Sequence, residues 1–169
     1  ALDGRFPAFL TAVTDTVEDE DDAEGLYRFA AVWASWMQAR SDDYAALADL
    51  PKLEAAFDRV LELSPEIDDG FAHVYKGVLL AQRPASLGGK PEEARAHFER
   101  AIEISNGRNL MAKALFAENY ARLVYDRELH DRLVTEVIEA DPEAGDLTLS
   151  NRLAQERAGE LRASADSFF

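Results

Sequence analysis

Cysteine is absent from the 169-residue chain. Disulfides, thiolate nucleophiles and cysteine-ligated zinc or iron–sulfur centres are excluded together. A cysteine-free chain suits reducing and oxidising compartments alike, so the redox setting stays open. Basic residues are scarce as well: 18 Lys and Arg face 33 Asp and Glu, a net charge of −15. Such a chain repels phosphate backbones and anionic bilayers, which argues against nucleic acid and acidic membrane surfaces as partners. Long apolar runs are missing too; none reaches the roughly 18 residues of a membrane span. The opening Ala1-Leu2-Asp3-Gly4-Arg5-Phe6-Pro7 has an early acid and no apolar core of a secretory signal. Two readings are open: a cytoplasmic protein, or a chain whose targeting segment has been removed. What is present is ordinary for a globular protein, with 47% hydrophobic and 30% charged residues. The length suits a single domain over residues 1–169, with 1–24 as a more polar N-terminal segment.

Strand-like alternation and hairpin turn signals are also lacking, and helical spacing takes their place. Between Gly25 and Arg40, residues Leu26, Phe29, Ala30, Trp33 and Met37 recur at three- and four-residue intervals. Asp49-Leu50-Pro51 opens a further helix with proline in its first turn, and Ser64-Pro65 closes it. Gly70 to Gln82 reads as another, ended by Arg83-Pro84. Pro91-Glu92-Glu93 starts the next, with two acids at the positive end of its dipole, and Asn106-Gly107 stops it. Asn109 to Tyr125 is nearly all apolar and reads as a central buried helix. Asp126 caps a helix that ends at Asp141-Pro142, and a last one runs from Thr148 to about Ala163.

Three of these helices share one pattern. Leu53, Phe57, Val60 and Pro65 have the same spacing as Ala94, Phe98, Ala101 and Asn106, and as His130, Val134, Val137 and Pro142. This is the spacing of the second helix of a tetratricopeptide repeat, and Gly77 falls where the first helix carries its small contact residue. The fold class expected is therefore all-α, a tetratricopeptide-like array of helical hairpins, an α-solenoid-like bundle. One connection is longer than a repeat hairpin needs: Arg83 to Lys90, with Gly88 and Gly89. Such a loop is a candidate for function, while its glycines also serve simply to turn the chain.

From this loop onward the sequence resembles the T component family of tripartite ATP-independent periplasmic (TRAP) transporters. The matching features are Leu87-Gly88-Gly89, Ala94 with Phe98, Gly107-Arg108, Asn119-Tyr120-Ala121, Asp126-Arg127-Glu128-Leu129, the segment Leu149 to Gln155, and the ending Asp166-Ser167-Phe168-Phe169. The likeness extends from about Gly25 to the end. It implies a non-enzymatic, all-helical, repeat-like periplasmic protein, lipid-anchored through an N-terminal cysteine. It further implies association with the transporter's periplasmic solute-binding protein and a cavity or pore for a ligand. The missing cysteine departs from this pattern, and the start is read here as already trimmed.

Candidate residues carry two readings each. Asn151 lies on the apolar stripe Leu147, Asn151, Ala154, Ala158, Leu161, where a buried amide either meets a ligand or buttresses a helix start. Lys113 and Tyr120 are seven apart on the central helix. They share a face on which lysine greets a carboxylate, or else the lysine snorkels to water. Trp33, with Trp36, lines an apolar pocket or packs as core. Leu87, Gly88, Gly89 and Asn109 are candidates for contact with a partner. Glu118 and Arg122 suit an intrahelical pair. The run Glu18 to Asp22 reads as a solvated segment, with docking on a basic partner patch as its functional alternative. His73, His97 and His130 sit on three helices without metal-ligand spacing, so no metal is expected. Gly89-Lys90 lacks the Ser or Thr and the first glycine of a phosphate-binding loop. No nucleophile–base pair stands out, and no cofactor is implied. The sequence thus leads to a non-enzymatic accessory component of a TRAP-type uptake system, periplasmic and lipid-anchored. It would bind or channel a small organic ligand, hydrophobic or carboxylate, and dock on the solute-binding protein. A closed homo-oligomer is compatible with this reading. The alternative is a generic tetratricopeptide-like scaffold for protein–protein interaction.

Overall fold

The computed structural model describes residues 5–40, 42–43, 48–82, 84–87 and 89–169, with residues 5 and 87 described in backbone alone. Among the described residues the protein is all-α: eight helices and no strand. No described helix is long and apolar enough to cross a membrane. The contacts divide the chain into two compact units, Ala1–Asp68 and Asp69–Phe169.

The first unit holds α1 (Arg5–Thr16), α2 (Glu20–Gln38) and α3 (Leu50–Leu63). Helix α1 occupies much of the stretch read from sequence as merely polar. The acidic run has a local role here. Asp19 caps α2 by accepting from the Asp22 amide at 2.9 Å, and Asp22 accepts from the Glu18 amide at 3.1 Å. Glu20, Asp21 and Asp22 then face the positive end of the helix dipole, so α2 starts five residues before the expected Gly25. Helices α1 and α2 both pack on α3. Arg59 of α3 closes the end of α1 by donating to the Val17 carbonyl from Nε at 3.0 Å and Nη2 at 2.8 Å. That satisfies a carbonyl the helix terminus leaves without an intrahelical donor.

The second unit begins with α4 (Phe71–Leu80) and α5 (Pro91–Ile104), its most extensively packed pair. Two glycines permit this approach. At Gly77 an added Cβ would lie 3.0 Å from the Phe98 ring, which is fully buried. At Gly70, in the left-handed region with φ 81°, it would lie 2.9 Å from the Ala101 backbone. Next come α6 (Leu110–Phe116), a π-helical turn (Ala117–Ala121), α7 (Arg127–Glu139) and α8 (Thr148–Phe168). Helix α8 runs five residues past the expected Ala163. The central apolar helix is broken into α and π segments rather than continuous to Tyr125. Its core is aromatic: Phe98 stacks on Phe116 at 5.1 Å between centroids, and Phe116 meets Tyr120 at 5.3 Å. Burying a side chain the size of Phe98 contributes on the order of 2–3 kcal/mol. All nine apolar-face positions of the repeated pattern, from Leu53 to Val137, are at most 1% exposed.

Candidate functional site

The polar anchor of the second unit is built at the turn between α5 and α6. Ser105 ends α5 by donating to the Ala101 and Ile102 carbonyls at 3.0 and 3.2 Å. Asn106, with φ 50°, and Gly107, with φ 75°, reverse the chain. Asn109 then caps α6: its Oδ1 accepts from the Ala112 amide at 3.1 Å, and its Nδ2 donates to the Asp69 carbonyl at 3.2 Å. Asn151, projecting from α8, meets the same turn from the other side. Its Oδ1 accepts from the Leu110 amide at 3.0 Å, while Nδ2 donates to the carbonyls of Arg108 at 2.9 Å and Pro142 at 3.2 Å. Ser105, Asn109 and Asn151 are all fully buried. Both amides therefore spend their hydrogen-bonding capacity inside the protein, binding the α5–α6 turn to α8.

The π turn redirects the side chains beyond it. The Arg122 amide bonds to the Ala117 carbonyl, five residues back, at 3.3 Å. One extra residue in a turn rotates the succeeding residues by roughly 100° relative to a regular α-helix. Lys113 and Tyr120 take different partners. Lys113 reaches α7 and pairs with Glu136 at 2.8 Å, its side chain 16% exposed. Tyr120 is buried against Phe116. The Arg95 guanidinium is held charged more firmly than usual, by its hydrogen bond to Glu99 first and by the Tyr120 phenol second. The expected Glu118–Arg122 pair is replaced. Glu118 takes a two-pronged pair with Arg157 of α8, the outer contact at 3.2 Å. Arg122 donates through Nη2 to the Leu161 carbonyl at 3.1 Å and to Ser164 Oγ at 2.6 Å, and lies 4.7 Å over the Phe168 ring.

Between this redirected segment and α8 runs an open groove of about 530 Å³. Met111, Leu153 and Leu161 supply its apolar surface, and Leu153 is half exposed. Arg122, Arg157, Glu118, Glu156, Glu160 and Ser164 supply polar surface, with Glu118, Arg157, Arg122 and Ser164 cross-linked as described. Arg122 Nε is buried with no hydrogen-bond partner among the described residues. Neither Lys113, Tyr120 nor Asn151 lines the groove. Sequence reasoning missed it because Glu118 and Arg122 read as an ordinary intrahelical pair; the clue was only that they interrupt a nearly apolar helix, Asn109 to Tyr125.

The remaining candidates lie elsewhere. Trp33, in the first unit, is half-buried between Phe9 at 6.1 Å and Phe29 at 5.5 Å. It belongs to an apolar surface with Phe29, Val32 and Trp36 exposed. In the α4–α5 connection, Ala85–Leu87 forms a 3-10 turn, and the Gly89 amide donates to the Pro84 carbonyl at 3.1 Å. The Lys90 amide donates to the Leu80 carbonyl at 3.3 Å, fastening the loop to the end of α4. Gly88 lies outside the described residues, as does the side chain of Leu87.

The histidines do not all stay apart. His73 of α4 and His97 of α5 face each other with their Nδ1 atoms 2.8 Å apart. His130 of α7 is fully buried, hydrogen-bonded through Nδ1 to Asp131 at 2.9 Å, with Phe169 edge-on at 5.2 Å. The hydrogen bond from His130, aided by Arg127, holds the Asp131 carboxyl below its usual range.

Two comparisons bear on what this architecture belongs to. A family model described as TRAP transporter T-component matches residues 8–169, nearly the whole chain. Among curated proteins, none matches.

Proposed function

This chain belongs to the TRAP transporter T-component family, a component of a transport system, and from that premise we propose that its α6–α8 groove binds a small organic ligand for handover. The observation that carries the reading is the groove itself. Its volume of about 530 Å³ falls within the range typical of small-molecule sites. Its lining is mainly polar, with Glu118, Arg122, Glu156, Arg157, Glu160 and Ser164 beside Met111 and Leu153, which suits a ligand with a polar head and a short apolar part. Its walls are held by the Glu118–Arg157 pair and the Arg122 clamp on α8, so the site is preformed.

In this reading the protein acts by binding alone, without bond chemistry, and docks on the periplasmic solute-binding protein of its transporter. A periplasmic placement accords with the family; a lipid anchor and the tetratricopeptide-like hairpin array complete the picture. The array is supported by the close α4–α5 contact at Gly77 and by the buried repeat positions.

Two measurements test the proposal. Native mass spectrometry of protein purified from its own periplasm, without detergent, is expected to show a bound small molecule that Leu153→Arg eliminates. A pull-down with the cognate solute-binding protein is expected to retain it at micromolar concentration. A ligand-free wild type together with no association would overturn the reading.

A further inference from the structure

We propose that His73 and His97 form a two-nitrogen site for a tetragonal divalent metal ion, copper(II) above all. The spacing of the two residues in the sequence conceals the site, because each stands alone on its helix. The α4–α5 packing creates it. With Gly77 admitting Phe98, the helices approach until the two imidazoles face each other, ring centroids 5.0 Å apart and planes inclined by 39°. Both rings are half-buried, so solvent and a hydrated ion reach them.

The separation is that of a hydrogen bond between the rings, and it also matches one edge of a square coordination plane once the rings turn toward an ion. Two nitrogens each about 2.0 Å from one ion and at a right angle are about 2.8 Å apart, the cis edge of a square. A tetrahedral zinc ion needs about 3.3 Å between the same atoms. The observed Nδ1–Nδ1 separation is 2.8 Å. Without metal, one ring donates its Nδ1 proton to the other. On metal binding both Nδ1 lone pairs turn to the ion, and the donor ring gives up its Nδ1 proton and takes one at Nε2. No net proton is released from two neutral rings, and no redox partner is required.

The site is exchangeable rather than structural. Among the described residues no third His, Asp or Glu joins the pair to complete a cage, and His73 and His97 each have a further interaction that metal binding would have to accommodate. Lys76 and Arg100, one turn along from each histidine, have interactions of their own, and their charge further limits affinity. Copper(II) stands highest among the divalent ions for nitrogen sites, so it is the ion to bind first.

Copper(II) is titrated into the full chain and followed by electron paramagnetic resonance, with pulsed measurements counting coordinated imidazoles. An axial one-to-one centre with two imidazoles is expected for the wild type. His73→Ala and His97→Ala are each expected to leave at most one imidazole and to weaken binding at least tenfold. Stoichiometric copper is expected to raise the thermal midpoint of the wild type by joining α4 to α5, reversibly with chelator. A wild-type spectrum with one imidazole or none overturns the site, and this reading needs no variant to fold. Undiminished affinity in either folded variant, checked by circular dichroism, overturns it equally.

Discussion

Asn109 and Asn151 do for this fold what an apolar residue would not: they terminate and join backbone that has no helical partner. A helix start leaves its first amides unbonded, and the Asn106–Gly107 reversal adds carbonyls that must also be met. Asn109 supplies the cap from within the turn. Asn151 supplies an acceptor for the Leu110 amide and two donors for the Arg108 and Pro142 carbonyls. Removing it strands one buried amide and two part-buried carbonyls, and each carries a desolvation cost. Asn151→Ala is therefore expected to lower stability by about 3 kcal/mol, read as a fall in the urea midpoint at unchanged m-value. Asn151→Asp keeps the acceptor yet sets a carboxylate oxygen against two carbonyls, so it is expected to be at least as damaging at neutral pH and milder in acid. A stable Asn151→Ala protein with altered ligand binding would reverse the assignment and return this residue to the ligand.

Among the helices, what reads directly from sequence is whatever local chemistry specifies. Asp49 with Pro51, Pro91 and Asp126 mark helix starts, and the structure begins α3, α5 and α7 there. The buried face of each repeated helix was legible from spacing alone, because period and burial are the same fact in an amphipathic helix. The π turn was not legible. Nothing in Ala117-Glu118-Asn119-Tyr120-Ala121 forbids an ordinary helix; the wider turn is fixed by tertiary contacts that carry Arg122 to α8. The pairing inferred across it, Glu118 with Arg122, is replaced accordingly. Ala165 continues the buried stripe of α8 past Leu161, and Arg122 fastens the turns around it. Arg122→Leu removes both hydrogen bonds to α8 and the cation over Phe168. Hydrogen exchange is expected to accelerate at the amides of Ala165 to Phe168 by tenfold or more, as suits the loss of about 2 kcal/mol of charged hydrogen bonding. Protection elsewhere in α8, at Ala154 and Ala158, is expected to hold. Uniform acceleration along α8 would mean that Arg122 supports the whole core rather than the end of one helix.

At the scale of the molecule, the two units differ in what they bury. The second carries one contiguous core through α4 to α8, with Phe98, Phe116, Leu133, Val134 and Leu161 among its members. The groove and the histidine pair both lie within it. Among the described residues the first unit buries fewer side chains, with Leu53, Phe57 and Val60 beside small ones such as Ala23, Ala30 and Ala56. Burial per residue falls as chains shorten, so a short unit sits near the limit of independent folding. A chain of residues 69–169 is accordingly expected to fold alone, giving a helical spectrum and a single cooperative urea transition, whereas residues 1–68 alone are expected to show none. Cooperative unfolding of 1–68 would mean that its three helices suffice for a core. Non-cooperative melting of 69–169 would mean that its own core does not suffice, and copper and ligand measurements would then belong to the full chain alone. If 69–169 folds and still binds copper with two imidazoles, the histidine site is a property of α4 and α5 themselves, as their approach at Gly77 requires.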